Sequence, residues 1–120
     1  MCGACGRTVV ADPVFPGGRT TRGNLLAGQI IDALCAAAHN RIRVTGRPEG
    51  FTVSIPGRRP VPCATVADVW SAVFAASPAT ASVTFSTVQL EARYRTESRL
   101  LRAVVAASTV AASPAESRNR

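Results

Sequence analysis

Residues 41–55 read Arg-Ile-Arg-Val-Thr-Gly-Arg-Pro-Glu-Gly-Phe-Thr-Val-Ser-Ile, and their alternation decides the fold. Ile42 and Val44 alternate with Arg41, Arg43 and Thr45. After Gly46-Arg47-Pro48-Glu49-Gly50, the residues Phe51, Val53 and Ile55 alternate with Thr52 and Ser54. A period of two puts every second side chain on the same face, so this stretch is a β-hairpin with one apolar and one polar side.

The flanks change period. Upstream, Leu26, Ile30 and Leu34, with Ala27, Ile31 and Ala38, recur at helical spacing behind a cap at Thr20 or Thr21, which predicts a helix to about Asn40. Downstream, Pro56-Gly57 and the pair Pro60 and Pro62 end the hairpin. Thr65 then caps a helix carrying Val66, Val69, Trp70 and Val73, with Asp68 in its first turn and an end near Ser77-Pro78. Val83, Phe85 and Val88 read as a short third strand or as the lead into the last segment. From about Thr87, Leu90, Tyr94, Leu101, Val104 and Val105 make one helical stripe that ends in a polar tail at Ser113-Pro114.

These elements define a small α+β domain over residues 1–112. Residues 1–40 are a cysteine knuckle packed on the first helix, 41–86 the hairpin, second helix and third strand, and 87–112 an amphipathic helix. Residues 113–120 are expected to be a disordered tail. With 120 residues, 47% apolar but only 5% aromatic, the core must be built from Val, Ile, Leu and Ala. Alanine-rich cores bury little area per residue, so a metal staple is physically useful.

The knuckle is Cys2-Gly3-Ala4-Cys5-Gly6. Two thiolates come from one tight turn, and the glycine after the second lets backbone amides turn toward the sulfur charge. A structural zinc needs four N or S ligands in a tetrahedron. Cys35 and His39 supply two more, four residues apart on the predicted first helix and therefore on one helical face. Counted from Leu26 at 100° per residue, Cys35 falls at about 180° and His39 at about 220°, at the edge of the apolar stripe. The expected ligand set is Cys2, Cys5, Cys35 and His39 around Zn2+, with Cys63 the rival to His39 for the fourth position. The string Cys2-x2-Cys5-x29-Cys35-x3-His39 resembles the general plan of zinc fingers over about the first 40 residues. Its 29-residue interval is longer than in the common nucleic-acid-reading finger, so the resemblance implies a metal site and not base reading.

Competing chemistries find less support. A thiol oxidoreductase motif follows a strand and opens a helix that lowers the first thiol's pKa, whereas only Met1 precedes Cys2 here. The chain holds a single His, no Gly-x-Ser-x-Gly elbow and no lysine for a phosphate-binding loop, so an enzyme is not expected. Asp12, Asp32 and Asp68 are scattered, each read as a turn, a solvated helix face or a first-turn charge. No small-molecule substrate is evident.

All 14 basic residues are Arg, against seven acidic ones, for a net charge of +7. Such a balance favours polyanions, although a GC-rich bacterial genome also enriches Arg and Ala in proteins of every function. The candidate nucleic-acid contacts are Arg41, Arg43, Arg58 and Arg59 on and around the hairpin, and Arg95, Arg99 and Arg102 in a stripe on the last helix. A solvated helix face explains the second set as simply, with Glu91 able to pair Arg95. Phe51, Phe74 and Phe85 read as core, and Tyr94 is the one aromatic left for stacking on bases. No secretory signal or membrane-spanning run is present, so a cytoplasmic location is expected. The function expected is a non-enzymatic zinc module that docks on RNA, DNA or a nucleoprotein complex such as the ribosome or the transcription machinery. The alternative is a protein-interaction adaptor or small homo-oligomer that uses the hairpin edge or the Ala/Val-rich end of the last helix.

Overall fold

The computed structural model describes residues 11–82 and 88–111. The elements in order are α1 (Thr21–Ala37), β1 (Arg43–Arg47), β2 (Gly50–Ser54), β3 (Val61–Cys63), α2 (Val66–Ala76), α3 (Val88–Arg93) and α4 (Ser98–Ala111). Short 3-10 turns at Pro78–Ser82 and Arg95–Glu97 complete the path.

The strands form an antiparallel sheet in the order β1-β2-β3. Val44 faces Val53, Gly46 faces Phe51, Phe51 faces Cys63 and Val53 faces Val61, so these residues share one face. Val44, Phe51, Val53 and Cys63 are buried there against the helices. Arg43, Thr45, Arg47, Thr52, Ser54 and Pro62 occupy the opposite, outer face, as the alternation predicted.

Helix α1 runs antiparallel to β1. Near its start, the buried Asn24 donates from Nδ2 to the carbonyl oxygens of Arg47 and Pro48, at 2.7 and 3.3 Å. One turn on, Gly28 packs on Gly46: a Cβ on Gly28 would lie 2.6 Å from the Gly46 nitrogen, and one on Gly46 only 2.1 Å from the Asn24 oxygen. A further turn along, the Asp32 carboxylate accepts from the Val44 amide at 2.9 Å. That amide therefore points away from β2 and is satisfied by the helix. Pro62 on the other outer strand lies between the paired residues Val61 and Cys63, where a missing N–H costs no ladder bond.

Helix α2 runs parallel to α1. Asn40, just past the end of α1, donates from Nδ2 to Thr80 Oγ1 just past the end of α2, at 3.1 Å. Thr65 caps the start of α2 by accepting from the Asp68 amide at 3.2 Å. The buried Asp12 adds a second acceptor there, taking the Val66 amide on Oδ2 at 2.8 Å and the Val14 amide on Oδ1 at 3.1 Å. A carboxylate suits a helix N-terminus because both orphan amides and the helix dipole favour negative charge.

Helix α4 packs on α1 and α2, on the side away from the sheet. Trp70 is completely buried, donates from Nε1 to the Val104 oxygen at 3.0 Å and stacks on Phe74 with centroids 5.5 Å apart. The layers run sheet, then α1 with α2, then α4.

Three expectations need correction. The prolines at 60 and 62 do not end the sheet; they bracket its third strand, Val61–Cys63. The strand expected near Val83 and Phe85 falls largely outside the described residues, and Val88 opens a helix instead. The last helix is not continuous: α3 stops at Arg93, Tyr94 has φ −113° and ψ 44°, and a 3-10 turn intervenes before α4. Tyr94 is buried rather than available for stacking, its hydroxyl donating to Gln29 Oε1 at 3.3 Å. The 113–120 tail also lies outside the described residues.

Candidate functional site

The hairpin arginines converge. Arg41 and Arg43 enter β1 at the end of the sheet where β2 leaves, because Arg43 faces Ser54. Arg58 and Arg59 lie in the loop joining Ser54 to Val61, so all four belong to this one end of the sheet. Each is exposed. Arg43 is held by Asp32, with Nε to Oδ1 at 3.0 Å and Nη2 to Oδ2 at 3.1 Å. This bidentate hydrogen bond raises its pKa further and offsets its charge locally. Arg41, Arg58 and Arg59 make no ion pair with the described residues. Arg47 stands on the same outer face at the hairpin-turn end, with Nε donating to Thr52 Oγ1 at 2.6 Å. The surface between is Thr45, Thr52 and Ser54, short hydroxyls that let a rod-like backbone approach the sheet.

The second basic set does not join the first. Arg95 and Arg102 line one depression with Glu91 and Ser98, whereas Arg99 lines a different groove with Glu97, Leu100 and Phe15. The 3-10 turn that carries Arg95 breaks the stripe expected of a continuous helix. Since α4 covers the helix layer on the side away from the sheet, this set lies across the molecule from Arg41, Arg58 and Arg59.

Cys2 and Cys5 lie outside the described residues. Among the described residues no group of three or more His, Cys, Asp or Glu side chains could hold a metal ion. The expected pairing of Cys35 with His39 on one helical face is not what the fold makes. Helix α1 ends at Ala37, and His39 takes φ 61° in the left-handed region. The Asn40 amide donates to the Cys35 oxygen at 3.2 Å and the His39 amide to the Ala36 oxygen at 3.0 Å. That is a Schellman end, which reverses the chain and leaves the His39 side chain exposed.

Cys35 is 0% exposed, on the same stripe as Asn24, Gly28 and Ile31 that packs on β1. Burial pushes its thiol up to about 11, against a smaller lowering by Asn40. The stripe counted from Leu26 put Cys35 at its edge because the packing face is centred elsewhere. Leu25 is 44% exposed and Leu26 half-buried, while Asn24 and Gly28, neither of them apolar, are buried.

Cys63 sits elsewhere. It faces Phe51, which faces Gly46, placing it at the hairpin-turn end of the sheet. Its thiol is 9% exposed and borders a groove with Arg47, Glu49 and Pro62. Desolvation and, to a lesser degree, the nearby Asp68 charge raise its pKa.

Comparison with family models, curated proteins and solved structures returned no match for this chain. Among the described residues no helix is long and apolar enough to cross a membrane.

Proposed function

We propose that this protein is a non-enzymatic, basic docking module that binds the phosphate backbone of RNA or DNA, alone or within a nucleoprotein complex, through the outer face of its sheet. The gathering of Arg41, Arg58 and Arg59 at one end of that face, with Arg43 beside them, carries the reading. Phosphate contacts position a protein without reading sequence. The strand residues of the outer face include no aromatic, so backbone docking fits better than base stacking. Arg95, Arg99 and Arg102 are assigned to solvation of α4 and leave the interface. A zinc ion at the Cys2-x2-Cys5 knuckle is part of the proposal, as a closed structural clamp for the N-terminal segment.

The adaptor reading draws less support. Ala103, Val105 and Ala107 pack against the core and Val104 lies within it, leaving Val110, 69% exposed, as the large apolar side chain that projects from this end of α4. The amide of Val44 at the β1 edge is taken by Asp32, and Pro62 has no amide to offer at the other.

Fluorescence anisotropy with duplex DNA and duplex RNA, titrated between 50 and 200 mM salt, tests the proposal. Four phosphate contacts give a slope of log K against log salt of about −3.6 on DNA, a roughly hundredfold loss over that range. Replacing Arg41, Arg58 and Arg59 together by Gln should reduce the slope by about 2.7, while Gln at Arg95, Arg99 and Arg102 should leave it within about 0.5. Absence of binding at 50 mM salt, or loss of it in the α4 variant alone, overturns the proposal.

A further inference from the structure

We infer that the third thiolate of the zinc site is Cys63, and that Cys35 and His39 stand outside it. This rests on the proposal that the knuckle binds zinc, and concerns which residues complete it.

Three observations carry the assignment. The first is where the N-terminal segment joins the fold. Asp12, seven residues after Cys5, is fixed by its bond to the Val66 amide at the start of α2, and Val66 follows Cys63 by three residues. Phe15 and Arg19 continue along the same end: a Cβ on Gly23 near the start of α1 would touch Phe15 Cε1 at 2.8 Å, and the Arg19 guanidinium lies 5.9 Å from the Phe51 ring.

The second is separation. Cys63 lies level with Gly46, two strands away, while Cys35 is seven residues along α1 from Gly28, which packs on Gly46. At about 1.5 Å per helical residue and about 4.8 Å per strand, the two cysteines are on the order of 14 Å apart. Thiolates on one tetrahedral zinc are about 3.8 Å apart, so a single ion cannot take both.

The third is access. The Cys63 thiol borders an open groove, whereas Cys35 is sealed between α1 and the sheet, and His39 is turned out by the Schellman end beyond it. Three thiolates leave one position, and Glu49 on the same groove as Cys63 supplies an oxygen donor of the kind zinc accepts. Thiolate binding releases one proton per cysteine and changes no oxidation state.

The test uses full-length wild-type protein purified with zinc, its metal content measured, and its thiols alkylated with iodoacetamide before and after chelation, with mass spectrometry locating each adduct. Expected is one zinc per chain, with Cys2, Cys5 and Cys63 protected together, becoming modified together on chelation, and Cys35 unmodified in both states. Cobalt substitution gives a second readout. The thiolate-to-cobalt charge-transfer band should keep its intensity in Cys35→Ala and His39→Ala and fall by about a third in Cys63→Ser. Zinc with Cys63 modified equally before and after chelation, or a band lost with Cys35 or His39, overturns the assignment while leaving the zinc clamp standing. Absence of zinc from the wild-type protein overturns both.

Discussion

Replacing Gly46 by Ala is the most direct probe of how α1 is seated on the sheet. A Cβ at this position would stand 2.1 Å from the Asn24 oxygen and 2.7 Å from the Leu25 Cα, where ordinary contact begins at 3.4 Å. Both obstacles are backbone, so no rotamer change relieves them. The helix must retreat from β1 by about 1.3 Å, which stretches the 2.7 Å bond from Asn24 Nδ2 to the Arg47 oxygen beyond hydrogen-bonding range. Losing a buried amide's partner costs about 1–3 kcal/mol, and disturbing a close-packed contact costs about 1–3 kcal/mol more. The expected destabilisation is about 3–5 kcal/mol, a large share of the roughly 5–15 kcal/mol typical of such a domain. At about 4–8 °C per kcal/mol, Tm should fall by about 15–30 °C. Urea unfolding followed by Trp70 fluorescence and by circular dichroism measures it. Gly17→Ala is the control, since nothing lies within 4 Å of its Cβ, and it should be neutral or stabilising by up to about 1 kcal/mol. If the two variants differ by less than about 1 kcal/mol, the close seating of α1 on β1 is wrong.

Asp12→Ala leaves the Val66 amide unpartnered and removes a charge from the start of α2, so a loss of about 2–4 kcal/mol in urea unfolding is expected. Trp70→Phe keeps the ring but leaves the Val104 oxygen without its indole donor, which should cost about 1–3 kcal/mol and loosen α4, seen as faster amide exchange in residues 98–111. The Cys35 thiol, raised from 9.0 to about 11, keeps its proton in the folded state when the unfolded chain has lost it. Stability from this group is therefore full below pH 9 and declines as pH rises toward 11, by on the order of 2–3 kcal/mol. Cys35→Ala should flatten that alkaline decline, and an unchanged pH profile would count against a sealed thiol.

What the sequence made legible was local. Alternation in residues 41–55 placed Val44, Phe51 and Val53 inward and Arg43, Thr45 and Thr52 outward, because a strand's faces depend only on period. Thr65 and Asp68 marked the start of α2 because capping is decided within one turn. The third strand escaped because Pro60 and Pro62 read as breakers. On an outer strand, a proline between two paired residues interrupts nothing, but which strand is outermost is a property of the sheet. Asp12 read as a turn residue since its partner, the Val66 amide, is 54 residues away. Of the candidate site, the hairpin arginines were legible as a group because sequence neighbours share the strand ends. Cys35 and His39 were misread because spacing alone cannot say that a helix stops between them, and nothing short of the left-handed turn at His39 does. The α4 arginines were misjudged for a related reason: a stripe needs a continuous helix, and burial of Tyr94 against Gln29 interrupts it.

The junction of α1 with the sheet also has a meaning for descent. Asn24, Gly28, Gly46 and Gly50 are each held by backbone contact, with a Cβ on Gly50 meeting the Cys63 oxygen at 2.4 Å. Selection on such positions acts through shape alone and persists whatever the outer surface binds. A divergent chain with this architecture is therefore expected to carry the signature Asn-x3-Gly-x17-Gly-x3-Gly long after its arginines have changed, and that spacing is a means of finding its kin.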